Sequence, residues 1–384
     1  MSALAPRWAT SLLALVLANL LVACASGPRP GADLAEPART VAWWPQAGDT
    51  LLDRFQPVFV TEHAERSWNR IGTPSARRTA DGGEDVYVDP DRATVYRQRI
   101  DFEAEGQAFT NLVYRIHFER SPFTWRPFNV GMGRNVGVLA VVTVDARERP
   151  LWLTTVQTCG CYHAILPTTL VPAADWPEGW DPEQLVVYGE ELPGLLRLPA
   201  GGAAARFVVQ LRDGNHRVMD VSVAPESSLA ERYAARPAAS RPVDALDALE
   251  LADGGTTSFF HESGRLRGLV KGAFKPFETA LFGWWIHDLH VGRDRRYGPR
   301  DRTQLFYTSL NPFHKQHSDM WDFPGFLAEN GWKPGNLAPP PAELARPEGA
   351  PAGAGPTATG AKPTPTGAAA SSSGAAAALA GGPS

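Results

Sequence analysis

The sequence has few cysteines, no excess of charge of either sign and no apolar run long enough to cross a membrane. Three cysteines in 384 residues exclude a small protein held together by disulfides. The 37 basic and 41 acidic side chains leave a net charge of −4, too little positive charge for a phosphate backbone, so no nucleic acid partner is expected. Walker A, Gly-x-Ser-x-Gly, EF-hand and His-Glu-x-x-His patterns are also missing, which removes several common enzyme classes.

Aromatic residues are concentrated in the middle of the chain. Apolar residues make up 43% of the sequence, and eleven of the twelve tryptophans lie within residues 43–336. We therefore predict one folded domain over residues 43–336. Residues 24–42 contain no aromatic side chain and are predicted to form a flexible tether. Residues 337–384, rich in Ala, Pro and Gly, are predicted to be a disordered tail.

Residues 1–23 have the pattern of an export signal. Arg7 precedes an apolar stretch of thirteen residues, 11–23, which is shorter than the roughly 20 residues of a membrane-spanning helix. Residues 21–24 then read Leu-Val-Ala-Cys. This stretch resembles the lipobox of bacterial lipoproteins, in which a small residue precedes an obligatory cysteine.

The resemblance implies a lipid anchor on Cys24. The leader would be cleaved before Cys24, a diacylglyceryl group would be joined to its sulfur, and a fatty acid such as palmitate would acylate the new N-terminus. Several chains hold a protein firmly at a bilayer, so we expect the membrane to be a partner and the mature chain to face outside the cytoplasm. In a host with two membranes, Ala25 at the sorting position implies the periplasmic face of the outer membrane.

Alternating and β-branched runs predict a β-rich fold. Residues 109–118 alternate between apolar and polar side chains, as in a half-buried strand, and residues 136–145 resemble a strand covered on both faces. A polar turn and the apolar residues 151–158 follow, which predicts a hairpin. Further short strands are predicted at 86–88, 94–100, 185–188, 206–211 and 217–223. The expected class is α+β, with an antiparallel sandwich or partly open barrel.

Helical signals are confined to the last third of this domain. Residues 225–242 interrupt the strand pattern and are predicted to be a linker or surface loop, with a possible subdomain boundary. A helix is predicted from a Ser240 cap to the glycines at 254–255, and a second from Pro276. A third is predicted over residues 318–329, interrupted by a Pro-Gly pair.

The sharpest local motif is the Cys-Gly-Cys-Tyr-His sequence, residues 159–163. On an extended strand, positions i, i+2 and i+4 point to the same side, so Cys159, Cys161 and His163 are predicted to converge. Two thiolates and an imidazole suit Cu(I) or Zn(II), with a fourth ligand from elsewhere. A redox or structural cysteine pair and two plain buried thiols are the alternatives.

A second cluster of candidate ligands lies near residue 290. On a helix continuing from Pro276, His287 and His290 are neighbours at i and i+3, and with Asp288 or Asp294 they predict a metal or acid–base site. The alternative is that Asp288 pairs with an arginine from the adjacent loop while the histidines stay at the surface.

That loop is rich in arginine. Arg293, Arg295 and Arg296 could hold a phosphate, a lipid headgroup or a carboxylate through bidentate hydrogen bonds. Arginine outnumbers lysine by 32 to 5 in the whole chain, however, so local enrichment carries less information here. A solvated loop whose charges neutralise one another is the preferred interpretation.

Two functions follow from these observations. The first is a membrane-anchored envelope protein that binds a small ligand or a metal such as Cu or Zn, with Cys159, Cys161 and His163 as ligands. The second is a metal-dependent hydrolase that uses His287 and His290. The sequence does not identify the small-molecule ligand, an envelope protein partner or a reaction.

Overall fold

The computed structural model describes residues 40–125, 129–199, 205–297 and 319–334. The leader, Cys24, most of the tether and the C-terminal tail lie outside these residues, so the predictions made for them stay predictions. In the part of the chain that is described, no helix is long and apolar enough to cross a membrane.

A curled ten-stranded sheet forms a half-barrel. In spatial order its strands are β13 (Val218–Pro225), β12 (Ala205–Leu211), β2 (Val58–Thr61), β1 (Val41–Pro45), β14 (Ala234–Pro242), β5 (Thr94–Ala104), β6 (Gln107–Ser121), β7 (Gly133–Asp145), β8 (Pro150–Gln157) and β9 (Ala164–Pro167). Neighbours are antiparallel except for three parallel pairs, β12 with β2, β1 with β14 and β14 with β5. The predicted β-rich α+β fold is confirmed.

Smaller elements complete the described chain. Three two-stranded sheets pair β3 (Thr73–Arg78) with β4 (Glu84–Asp89), β10 (Leu185–Val187) with β11 (Glu190–Leu192), and β15 (Leu249–Glu250) with β16 (Thr256–Thr257). The α-helices are short: α1 (Leu51–Phe55), α2 (Glu226–Arg232), α3 (Pro276–Phe282) and α4 (Phe323–Glu329). Single 3₁₀ turns occur at Ser67–Asn69, Ala173–Asp175, Val243–Asp247 and Gly264–Leu266.

The two faces of β6 have different surroundings, one apolar and one with buried polar side chains. Its even-numbered residues enter an apolar core shared by all parts of the half-barrel, and they are Leu112, Tyr114, Ile116 and Phe118. The odd-numbered face was predicted to be half-exposed, but Asn111, Arg115 and His117 are fully buried. The prediction failed because later segments of the chain cover this face: Phe260 lies 5.3 Å from the Arg115 guanidinium, and the Arg295 carbonyl accepts its hydrogen bond.

β14 corrects the interpretation of residues 225–242 as a linker. This strand lies between β1 and β5, and most of its side chains are exposed or half-buried. Its place in the sheet comes from backbone hydrogen bonds on both sides rather than from a buried apolar stripe. A sequence of alanine, arginine and proline gives no strand signal under those conditions. Val41 and Ala42, placed in the tether by the sequence, belong to β1.

Two helix predictions also need correction. The helix predicted from Ser240 is instead the end of β14 followed by the single 3₁₀ turn Val243–Asp247. In the third helix, the proline does not interrupt, because α4 starts at Phe323 and Pro324 occupies its first turn, where a proline costs no hydrogen bond. α3 starts at Pro276 as predicted.

Candidate functional site

The Cys-Gly-Cys motif lies in a turn and not on a strand. β8 ends at Gln157, whose backbone N–H donates to the Cys161 carbonyl at 3.0 Å, while the Gly160 N–H donates back to the Gln157 carbonyl at 2.7 Å. Gly160 has a φ of +84°, in the left-handed region that favours glycine. The turn reverses the chain between β8 and β9, so the expected alternation of an extended strand does not apply.

The turn brings the two thiols together but leaves the histidine out. Tyr162 has a φ of +57°, which turns the chain again before His163. The His163 Nε2 is 3.3 Å from the Asn330 Oδ1, and its ring packs edge-on against Phe326. The predicted convergence of His163 with the cysteines is therefore wrong.

Glu278 takes the position expected for the histidine. The sulfur atoms of Cys159 and Cys161 and a carboxylate oxygen of Glu278 all lie within 4.8 Å of one another. Cys159 and Glu278 are buried and Cys161 is half-buried. Among the residues that the structure describes, no other group of three histidine, cysteine or acidic side chains comes this close.

Helix α3 delivers Glu278 because its N-terminal turn is fixed to a neighbouring loop. The Lys275 N–H donates to the Gly292 carbonyl at 3.1 Å, and the Thr279 hydroxyl donates to the Val291 carbonyl at 2.7 Å. Gly292 has a φ of +78°, and a Cβ atom there would lie 2.9 Å from the Cβ of Glu278. Only glycine permits this close approach, which holds Glu278 against the turn.

A buried ion pair adjoins the thiols. The Lys275 ammonium lies 3.8 Å from the Asp294 Oδ2 and 3.9 Å from the Glu278 Oε2, and all three side chains are buried. The Thr158 hydroxyl donates to the other oxygen of Asp294. The cationic group therefore lies between two carboxylates, beside the Cys159–Cys161 turn.

These neighbours change the protonation of the site. The hydrogen bond from the Cys161 thiol lowers the pKa of Cys159, and the same bond, together with burial, raises the pKa of Cys161. Burial raises the pKa of Glu278 more than Lys275 lowers it. Burial alone would lower the pKa of Lys275, but Asp294 and then Cys159 and Glu278 outweigh it and raise this pKa, so the lysine stays charged.

The donor set fits a metal ion better than it fits an apolar core. Glu278 is only 4% exposed, and its Oε2 has no hydrogen-bond partner, a costly condition for a buried carboxylate. Tetrahedral zinc with bonds of about 2.3 Å to sulfur places two sulfur ligands about 3.8 Å apart. Separations of up to 4.8 Å reach that spacing with side-chain shifts of about 1 Å or less.

The second predicted cluster does not form a metal site. α3 ends at Phe282, so His287 and His290 are not neighbours on a helix, and His287 itself has a φ of +50°. Asp288 accepts a hydrogen bond from the His290 N–H at 2.8 Å and lies 3.5 Å from an Arg295 nitrogen. The alternative prediction, that Asp288 pairs with an arginine of the adjacent loop, is confirmed.

Asp294 and the three arginines are buried to different extents, and each of them contacts other residues of the folded domain. Asp294 belongs with Lys275, as described above, and not with the histidines. Arg295 and Arg296 are buried, and Arg296 donates two hydrogen bonds to the carboxylate of Asp247. Arg293 lies over the ring of Phe274 at 4.8 Å. In its described part, residues 293–297, the loop is therefore not the solvated segment expected, and Arg295 and Arg296 are not displayed for an external anion.

Sequence reasoning missed Glu278 and Lys275, although both precede or begin a helix that was predicted. No short motif joins them to the cysteines, since more than a hundred residues separate Cys161 from Lys275. The one available signal was that Lys275 is among only five lysines in a chain with 32 arginines.

Comparison of the chain with protein-family models, with curated proteins and with solved structures finds no match.

Proposed function

We propose that this chain is a lipid-anchored zinc-binding protein of the cell envelope, with Cys159, Cys161 and Glu278 as ligands. The observation that carries the metal site is the convergence of two thiols and a carboxylate oxygen of the buried Glu278 within 4.8 Å of one another, together with the lack of a hydrogen bond to the Glu278 Oε2. The anchor is inferred from the lipobox-like residues 21–24 and the leader before them.

Zinc fits the site better than copper for two reasons. Two thiolates with a carboxylate are donors that Zn(II) accepts, whereas Cu(I) selects sulfur-only or sulfur–imidazole sets. Charge gives the second reason: three anionic ligands carry −3, and a divalent ion with the buried Lys275 ammonium carries +3, so the loaded cluster is neutral. A monovalent ion would leave one uncompensated negative charge in a buried place, which is unfavourable.

Asp294 and Arg115 complete this charge balance outside the ligands. Arg115 is fully buried, and the charge of Asp294 acts on it favourably. Asp294 therefore has two cationic neighbours, and one of them, Lys275, is shared with the metal site. In this arrangement Lys275 is a positioning residue, because its ammonium group lies between the Glu278 and Asp294 carboxylates beside the cysteines.

A bound metal would also explain how the two thiols avoid oxidation at the predicted location outside the cytoplasm. Outside the cytoplasm, neighbouring free thiols tend to be oxidised, and Cys159 and Cys161 are the two free cysteines in the described part of the chain. Zinc coordination would protect both thiols. A Cys159–Cys161 disulfide is the competing use of the same atoms. For the hydrolase alternative, the His290 Nδ1 lies 3.6 Å from an oxygen of Asp288, but the described residues near them form no group of three candidate ligands.

The test is zinc stoichiometry of the purified full-length chain, reduced, loaded with Zn²⁺ and freed of excess metal. We expect one zinc per chain in the wild type and essentially none in Cys159→Ser/Cys161→Ser. Glu278→Gln, which keeps the shape but removes the charged donor, should weaken zinc binding by at least about tenfold. Cobalt in place of zinc should give thiolate-to-metal charge-transfer absorption.

His163→Gln is the matched control, because glutamine can keep the hydrogen bond to Asn330 while losing the imidazole. It should bind zinc like the wild type. Loss of zinc in His163→Gln with retention in Glu278→Gln would overturn the ligand set. A wild-type chain that takes up no zinc after reduction, and in which mass spectrometry finds a Cys159–Cys161 disulfide before reduction, would overturn the zinc proposal in favour of a redox pair.

A further inference from the structure

Large apolar side chains are exposed around helix α3. Trp284 and Trp285 follow the Gly283 cap of the helix and are 67% and 57% exposed, and Leu289 is 75% exposed. Phe274, just before the helix, and Trp125, on the segment after β6, are exposed to 42% and 76%. We call these five residues, together with Phe123, the aromatic surface.

The members of the aromatic surface lie near one another. Phe123 is 5.1 Å from Trp125 and 6.0 Å from Phe277 of α3, measured between ring centroids. Trp284 and Trp285 contact each other at 6.1 Å. Since α3 has seven residues and rises about 1.5 Å per residue, about 10 Å separates its two ends. Phe123 thus contacts α3 itself, and the two tryptophans follow the other end of the same short helix.

Its composition is that of a membrane interface rather than of a protein core. Tryptophan side chains are enriched where a protein meets lipid headgroups, because the ring is apolar and its N–H is polar. Exposed apolar clusters of this kind mark interaction sites on soluble proteins. Arg293 lies over Phe274, and Arg265 is close enough to act electrostatically on His290, next to Leu289. Both cations suit an anionic headgroup layer.

The predicted anchor brings this region within reach of a bilayer. Thr40, the first described residue, lies sixteen positions after Cys24, and a fully extended chain of that length spans at most about 55 Å. A tethered body of this kind meets the bilayer at a high effective concentration, so a weak interfacial surface is enough to hold one orientation.

We infer that the aromatic surface docks the folded body on the lipid headgroup region of the membrane that carries the anchor. This inference rests on the lipid anchoring proposed above. Because α3 presents Glu278 to the cysteines on one side and is flanked by the aromatic surface, docking places the zinc site close to the bilayer. A membrane is preferred to a protein partner because two adjacent tryptophans, an exposed leucine and nearby arginines are the residue types that proteins place at the lipid headgroup region.

The experiment uses the full-length protein reconstituted in vesicles of phosphatidylglycerol and phosphatidylcholine with brominated acyl chains, which quench nearby tryptophans. Intact mass first establishes whether Cys24 is acylated. For the acylated wild type we expect brominated lipid to quench part of the emission, and Trp284→Ser/Trp285→Ser should remove roughly half or more of that quenching. Flotation of the variant with the vesicles should be unchanged, because the acyl chains hold it.

Leu170→Ser/Val186→Ser is the matched control, since it also removes two exposed apolar side chains but lies outside the aromatic surface. It should keep the wild-type quenching and the same thermal midpoint. Acylated wild type without quenching, or equal loss of quenching in both double variants, would overturn the docking inference while leaving the anchor intact. An unmodified Cys24 would overturn the anchor and with it this inference, whereas zinc stoichiometry would be unaffected.

Discussion

The two faces of β6 follow different rules of stabilisation. The even-numbered face contributes Leu112, Ile116 and Phe118 to an apolar core, in which each side chain gains free energy by leaving water. The odd-numbered face buries Arg115 and His117, which need specific partners. The Arg115 Nε donates to the His117 Nε2 at 2.8 Å, and another guanidinium nitrogen donates to the Arg295 carbonyl.

The comparison shows that one strand can build both a core and the surroundings of a site. Apolar contacts are non-directional, so the first face tolerates substitutions of similar volume. The buried polar face is directional, and removing one partner leaves the other without compensation. Three substitutions test this difference, and they are given from the largest expected effect to the smallest.

Phe118→Ala should give the largest loss of stability. The Phe118 ring is fully buried and stacks on His216 at 3.9 Å between centroids. The cavity and the lost burial should lower the free energy of unfolding by about 3–5 kcal/mol. Urea unfolding measures it, and Phe118→Leu, which refills most of the volume, should recover more than half. Equal losses for both variants would show that ring stacking, and not burial, governs this face.

Lys275→Met tests the directional rule next to the proposed zinc site. In metal-free protein it leaves Glu278 without its cation, whereas Asp294 keeps Arg115 as a cationic neighbour, and we expect a loss of about 3 kcal/mol in the free energy of unfolding at pH 7. Adding Glu278→Gln should recover most of that loss, because the uncompensated carboxylate is then replaced by a neutral amide. A double-mutant cycle in chelator measures the coupling between the two residues. Additive losses would contradict a mutually dependent pair.

The smallest expected effect concerns His216, whose ionisation makes the free energy of unfolding depend on pH. Burial lowers the pKa of His216 to about 4, although its hydrogen bond to the Trp68 carbonyl opposes the shift. A group with a lowered folded-state pKa stabilises the protein above its unfolded pKa, near 6.5, and loses that contribution as the pH falls toward 4. Between pH 7 and 5 we expect a loss of about 2 kcal/mol from this group.

His216→Gln should flatten this part of the pH profile of urea unfolding. His117 on the opposite face also has a pKa lowered by burial and by Arg115, so the variant should keep part of the slope. If the profile of His216→Gln is as steep as that of the wild type, the pH dependence comes entirely from other groups.

The part of the fold that sequence predicts is the part with a strong side-chain pattern. β6, β7 and β8 were predicted because long alternating and β-branched runs mark them. β14 was missed because hydrogen bonds to β1 and β5 place it, and those partners are remote in sequence. The polar face of β6 was assigned to solvent because its cover, which includes Phe260, comes from a distant segment.

The candidate site likewise has a part that the sequence predicts locally and a part that only the tertiary structure brings together. The pairing of Cys159 with Cys161 is a local property, and their closeness follows from two residues separated by one glycine. Glu278 and Lys275 reach them through tertiary structure, by a helix pinned to the Gly292 loop. Local spacing favoured His163, but the positive φ of Tyr162 turned it away.

The position of β14 has a consequence for the order in which the sheet can form. β1, next to the tether, lies fourth in a ten-stranded sheet, and one of its two neighbours begins only at Ala234. One edge of the first strand therefore has no backbone partner until nearly two hundred further residues are available. Closing so long a loop is slow. β1 therefore gains its second backbone partner only when β14 has folded against it.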